Sequence, residues 1–136
     1  TLAARLEQNP DDLQGWVMLG RSYRVLNRPE EAIAALEKAA ALAPENVDYL
    51  IERARLMRSV AGDQQTPETV ALMRDVLALD STNIEALWFL GLDAYQQDQR
   101  DTARDYFDRA LANLVPGSEE YRALQAEITR MYPTGN

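Results

Sequence analysis

The chain has no cysteine and no histidine among its 136 residues. Without thiols there is no disulfide framework and no thiolate nucleophile, and without imidazole the usual zinc sites are excluded. No apolar run approaches the roughly 18 residues of a membrane span. No signal-peptide pattern is visible, and no glycine-rich loop is present that would cradle phosphate. Positive charge is also scarce: 22 acids stand against 14 bases, a formal charge of −8. Such a chain is repelled by phosphate backbones, which argues against nucleic acid as a partner, and its long-range field favours basic partners. The missing cysteine does not choose a compartment, because a reduced cytosol and an oxidising periplasm both tolerate it. The opening stretch TLAARLEQNP is a helical pattern already under way, which we read as the start of a piece cut from a longer protein.

What the chain does have is a repeat. Trp16, Leu19, Gly20 and Tyr23 fall at i, i+3, i+4 and i+7, one face of a helix. Ala32, Leu36, Ala39 and Pro44 follow at the positions that complete the tetratricopeptide (TPR) pattern, whose period is about 34 residues. Only Leu36 departs, as an aliphatic residue in an aromatic slot. Gly20 and Ala32 are small enough to let two helices approach closely. Pro29 suits the first turn of a second helix, where its missing N–H costs nothing.

A third copy carries Leu87, Leu90, Gly91, Ala103, Phe107 and Ala110, with Pro116 one residue late. The middle copy is weaker, with Leu50 and Ala54 in its first helix and Met73 and Val76 in its second. Its internal turn, RSVAGDQQTPE, is lengthened; Gly62 breaks one helix, and Thr66 caps the next with Pro67 at its first position. The pattern predicts helices over 2–8, 13–27, 29–42, 47–61, 67–79, 84–97, 100–114 and 119–131, and no strands. The fold class is therefore all-α, a TPR solenoid of three antiparallel helix pairs plus a C-terminal capping helix. Residues 1–136 read as one TPR domain, with repeats at about 13–46, 47–83 and 84–117 and a capping helix at about 118–132. Ser118 is the expected N-cap of that last helix, and Tyr121, Leu124, Ile128 and Met131 form its apolar stripe. The 2–8 helix, with Leu2 and Leu6, either covers the other end or is the remnant of a truncated repeat. Trp16, Tyr23, Phe107 and Met73 are assigned to the core.

Carboxylates are plentiful, but Glu30, Glu31, Asp98, Asp101, Asp105 and Asp108 fall on helix starts or solvent faces, where acids oppose the macrodipole and solubilise the surface. No nucleophile–base pair and no calcium-loop spacing is present. The expectation is a protein that is no enzyme, has no catalytic residue, and uses neither metal nor cofactor. In this repeat the first helices line a concave groove, with positions 2, 5, 9 and 12 of each copy pointing in. Copy one then supplies Gln14, Val17, Arg21 and Arg24, and copy two supplies Asp48, Ile51, Arg55 and Arg58. Copy three supplies Glu85, Trp88, Leu92 and Tyr95, with Phe89 beside them. Arg21 and Arg24 thus recur one period later as Arg55 and Arg58. A guanidinium holds a carboxylate through two parallel N–H bonds, so this strip is an acceptor for acidic side chains or a chain terminus. Trp88, Leu92 and Tyr95 are aromatic and aliphatic anchors for a partner. Two alternatives stay open. The Arg residues pair with neighbouring acids such as Glu52 and Asp48, or Trp88 belongs to the core; Phe89 reads as packed against the C-terminal helices. The clamp for cytosolic chaperone tails is absent, since Val17, Arg21, Glu52, Glu85 and Phe89 stand where it needs Lys, Asn and Arg.

LAARLEQNPDDLQGWVMLGRSY, the lengthened AGDQQTPE turn, ALWFLGLDAY, ARDYFDRALANLVPGSEE and above all LVPGSEE are narrower than a generic repeat. Together they resemble the periplasmic TPR domain of the CycH-type cytochrome c-type biogenesis protein, which binds apocytochrome c. The resemblance implies a periplasmic domain of an inner-membrane-anchored protein, with the fragment itself making no direct membrane contact. It implies a client, the C-terminal helical segment of apocytochrome c, presented to the haem-ligation machinery. The domain has no His to ligate iron. A related family that assists haem insertion into periplasmic nitrite reductase shares the architecture, and a generic scaffold or self-association role is the remaining alternative.

Overall fold

The computed structural model describes residues 1–133. Among them are eight α-helices and no strand: α1 (Leu2–Gln8), α2 (Leu13–Val25), α3 (Pro29–Leu42), α4 (Val47–Val60), α5 (Pro67–Leu79), α6 (Ile84–Gln96), α7 (Arg100–Ala112) and α8 (Glu119–Met131). α2 packs on α3, α4 on α5 and α6 on α7, the pairing the repeat requires. The chain divides into two compact units, Thr1–Leu79 with α1 to α5 and Asp80–Asn136 with α6 to α8.

The helices begin where short polar side chains relieve the unpaired N–H groups of a first turn. Asp12 accepts from Gly15 N at 3.0 Å, Asn83 from Ala86 N at 3.0 Å and Ser118 from Tyr121 N at 3.1 Å. Thr66 and Thr69 exchange bonds, each backbone N–H donating to the other's hydroxyl at 2.9 and 3.2 Å. That exchange satisfies Thr69, a fully buried polar side chain. α3 has no side-chain cap, but Pro29 removes one orphan donor and Glu30 and Glu31 sit in its first turn.

Four helices stop one or two residues before the periodicity suggests. α2, α4 and α6 each end against a residue in the left-handed region: Asn27 (φ 57°), Gly62 (φ 68°) and Asp98 (φ 61°). Arg28 N then donates back to Tyr23 O at 2.8 Å, Asp63 N to Arg58 O at 2.7 Å, and Gln99 N to Ala94 O at 2.9 Å. These are Schellman closures, which use up the last free carbonyls and turn the chain out of the helix. α7 closes differently, with the Asn113 side-chain amide donating to Arg109 O at 2.8 Å.

In the first unit Leu6, Ala32, Leu36, Ala39, Ala54, Met73 and Val76 are essentially inaccessible. Gly20 lies against Leu36, whose Cγ would be 3.2 Å from an added Cβ. Trp16 and Tyr23, expected in the core, are only half-buried. The Trp16 indole N–H donates at 2.8 Å to Pro10 O, and the Arg28 guanidinium lies 5.1 Å from the Tyr23 ring centre. Both rings carry a polar handle or face that is better served at the rim than inside. In the second unit Leu87, Phe89, Leu90, Ala94, Ala103, Phe107, Ala110 and Ile128 form the interior. A methyl group at Gly91 would overlap the edge of the Phe107 ring.

Gly91→Ala should therefore cost about 1–3 kcal/mol by overpacking. Gly62→Ala should cost about 1 kcal/mol, from left-handed backbone alone, because nothing lies near its missing Cβ. Urea unfolding of the two variants measures the difference; equal costs would mean the Phe107 ring has room to retreat.

Candidate functional site

From Leu13 to Pro29 the chain carries three arginines and no acid, in a protein of net charge −8. Within that stretch the repeat face (Trp16, Leu19, Gly20, Tyr23) is turned toward neighbouring helices. A second apolar set is left over: Met18, Val25 and Leu26 are 59, 82 and 64 % exposed. Together with Gln14, Val17, Arg21, Ser22 and Tyr49 they line an open hollow of about 680 Å³ along α2 and the start of α4. Isolated exposed hydrophobics are ordinary, whereas several around one concavity mark a surface that meets another molecule.

A smaller hollow of about 220 Å³ lies alongside, lined by Arg21, Asn46, Asp48, Tyr49, Ile51, Glu52 and Arg55. Arg21 contributes to both. Its Nη2 lies 3.4 Å from Glu52 Oε1, with the Arg21 side chain 56 % exposed and that of Glu52 18 % exposed. The pairing of Arg21 with a neighbouring acid, one of the alternatives raised by the sequence, is thus present. An ion pair so exposed on the cationic side contributes little to stability and leaves most of the guanidinium available.

Of the residues singled out from the sequence, Gln14, Val17 and Arg21 line the larger hollow and Arg21, Ile51 and Arg55 the smaller one. Val17 (8 %) and Ile51 (7 %) are buried, so they form floor rather than rim. Arg24 is exposed and Arg58 half-buried, and neither is among the residues lining these two hollows. In the second unit Phe89 is enclosed at 2 % exposure. Trp88 rests on Phe107, ring centres 4.9 Å apart and planes at 42°. Trp88, Leu92 and Tyr95 pack on the cluster of Ala94, Ala103, Phe107 and Ile128, and Leu124, Met131 and Tyr132 pack on it too. The Tyr95 hydroxyl donates to Met131 O at 3.1 Å. The aromatic end of the expected site is therefore engaged by α8. Met18, Ser22, Val25, Leu26 and Tyr49 were not among the expected residues. The signal for three of them was present, since Met18, Val25 and Leu26 are large apolar side chains outside the repeat's core frame.

The larger hollow holds no acid, and its polar groups are Gln14, Arg21, Ser22 and Tyr49. Such a set recognises apolar and anionic groups by packing and charge-assisted hydrogen bonds. Among the described residues no group of three or more Asp or Glu is placed to hold a metal ion, and no helix is long and apolar enough to cross a membrane.

The family described as the TPR domain of cytochrome c-type biogenesis protein H matches residues 1–121. Cytochrome c-type biogenesis protein CycH of Pseudomonas aeruginosa is 31 % identical over 134 residues, covering 95 % of this chain and 33 % of that protein. Cytochrome c-type biogenesis protein CcmH of Escherichia coli is 27 % identical over 123 residues, 90 % of this chain and 35 % of that one. The formate-dependent nitrite reductase complex subunit NrfG of Escherichia coli is 31 % identical over 96 residues, 71 % of this chain and 48 % of that protein. The chain thus spans about a third of the length of the biogenesis proteins it matches. Among solved structures, MamA superposes with a TM-score of 0.66 at 18 % identity, covering 96 % of this chain and 80 % of that one. That likeness establishes the all-α TPR solenoid fold.

One titration follows from the geometry of α8. Burial pushes the Tyr132 phenol above its ordinary 10.0, nearby Tyr95 acts in the same direction, and Arg100 and Arg104 oppose. The folded chain therefore keeps this proton after the unfolded chain has lost it. The stability contributed by neutral Tyr132 is complete below pH 10.0 and is lost as pH rises through the folded value. Chemical denaturation between neutral pH and pH 11 should show a steeper alkaline loss for the wild type than for Tyr132→Phe; parallel curves would remove the burial argument.

Proposed function

The chain belongs to the TPR-domain family of the cytochrome c-type biogenesis proteins, and on that premise we propose that it acts by binding, not catalysis. It holds a helical or C-terminal segment of a client during cytochrome c maturation, and the client is apocytochrome c before haem attachment. The domain works in the periplasm, as part of a membrane-anchored protein that hands the client to the haem-ligation machinery.

One observation carries this reading: the hollow along α2, with Met18, Val25 and Leu26 exposed beside Arg21. An amphipathic helix laid there buries its apolar stripe on those three side chains. Fully burying a side chain of this size is worth about 1.5–3 kcal/mol before the costs of association are met. Carboxylates on the client's flank meet Arg21 and Arg24, and with no acid between Leu13 and Pro29 nothing on that segment opposes them. Away from it the chain is acidic, which speeds the approach of a client that is basic overall. Arg55 and Ile51 extend the contact into the smaller hollow. A second reading has its own support. The similarity to NrfG favours a nitrite reductase segment as the client in the same hollow.

Calorimetry with C-terminal peptides of apocytochrome c and of periplasmic nitrite reductase tests the proposal. The apocytochrome peptide should bind the wild-type chain more tightly than the reductase peptide. Met18→Asp with Val25→Asp should weaken it at least about tenfold, a loss of about 1.4 kcal/mol, with the melting temperature nearly unchanged because both positions are exposed. Arg21→Glu should weaken binding more at low salt than at high salt. Equal affinity of wild type and the double Asp variant would take the α2 hollow out of the mechanism, and tighter binding of the reductase peptide would reverse the choice of client.

A further inference from the structure

α8 is attached to its unit unlike the other two helices there. α6 buries six residues, whereas α8 buries Ile128 alone. Tyr121, Leu124 and Met131 complete its stripe but stay half-buried, and Glu119, Glu120, Arg122 and Arg130 face solvent. What fastens α8 is concentrated at its last turn. The Tyr95 hydroxyl holds Met131 O, one of the carbonyls that a helix end leaves without an internal partner. Just beyond, the Tyr132 hydroxyl donates to Arg100 O at 2.8 Å, and the Tyr95 and Tyr132 rings meet edge to face at 5.7 Å. The Arg100 guanidinium lies 4.9 Å from the Tyr95 ring centre and that of Arg104 5.3 Å from the Tyr132 ring centre. Two cations beside a helix C-terminus also oppose the negative end of its dipole. Tyr95, Arg100 and Arg104 therefore form a receptor for the end of a helix, and what they contact there is one backbone carbonyl, one hydroxyl and one aromatic ring.

We infer that α8 is a displaceable occupant of the α6–α7 face, and that the partner this face fits is an amphipathic helix built like α8. Such a helix has apolar side chains at the spacing of Tyr121, Leu124, Ile128 and Met131 and an aromatic hydroxyl just past its last turn. The inference rests on the reading of the chain as a client-binding module and gives it a gated second face. With α8 in place, Trp88, Leu92 and Tyr95 are half-covered; with α8 released, they present an apolar platform ending in two arginines. On the α8 side the attachment is thin, with Ile128 its one buried residue and a polar clasp at its end, which favours exchange.

The test uses the full chain and Tyr132→Phe, which removes one hydroxyl of the clasp and keeps the ring. Hydrogen exchange should show α8 amides opening about fivefold faster in the variant, the loss of one hydrogen bond, with α6 and α7 unchanged. A labelled peptide of residues 118–133, which carries the hydroxyl the variant lacks, should bind the variant about fivefold more tightly than the wild type. The same peptide with Ile128→Asp should bind neither chain. Equal loss of protection across α6, α7 and α8 would show one cooperative core and overturn the inference. So would a variant that fails to take up the peptide, or one that dimerises in light scattering, since the face would then suit a second copy of the chain. If α8 stays fixed while a client peptide binds the wild type, this inference alone fails. If α8 exchanges and no client peptide binds, the inference stands and the client reading fails.

Discussion

Everything in this molecule depends on how closely two helices can lie side by side. Gly91 meets the Phe107 ring where no Cβ would fit, and Gly20 meets Leu36 across the first pair. Ala32, Ala39, Ala103 and Ala110 are fully buried. Small residues on one helix facing large ones on the next give dense contact from short helices of thirteen or fourteen residues. That density supplies the burial that such helices need, since alone they are marginal in water. It also means that each pair spends its repeat face on its partner, and whatever the partner does not cover is left for other molecules.

The close pairs require sharp, reproducible exits. α2, α4 and α6 all end in the same closure, yet the left-handed residue is Asn27, Gly62 and Asp98 in turn. Asparagine and aspartate tolerate this conformation at modest cost, and glycine at none. The middle pair, where the connecting turn is lengthened, is the one that uses glycine, and there Asp63 is left-handed as well. The exchange of bonds between Thr66 and Thr69 then restarts the helix.

The surfaces left over differ in kind. Along α2 the uncovered face is apolar and locally cationic, and it stays open as a hollow. On α6 the corresponding aromatic face is met by α8, through a thin apolar stripe and a clasp of tyrosines and arginines. The hollow's lining of apolar side chains with Gln14, Arg21, Ser22 and Tyr49 suits recognition by packing and hydrogen bonding. Affinity would come from desolvating Met18, Val25 and Leu26, and orientation from Arg21, whose partner Glu52 holds it in place without enclosing it.

The sequence alone determined the eight helices, the caps at Thr66 and Ser118, and the pairing of first with second helices. These follow from local signals: a 3.6-residue period, a capping side chain, a proline at a first turn. It did not determine which face of each helix would remain uncovered. Val17 and Ile51 share a repeat position expected to line a groove, and packing buried both. Met18, Val25 and Leu26 sit outside those positions, and packing left them exposed. Trp16 and Tyr23 carry the repeat signature and still stop at the rim. Periodicity assigns a residue to a side of its own helix, but burial depends on what another helix places opposite that side. That arrangement comes from chain segments far apart in sequence, and only the tertiary structure decides it.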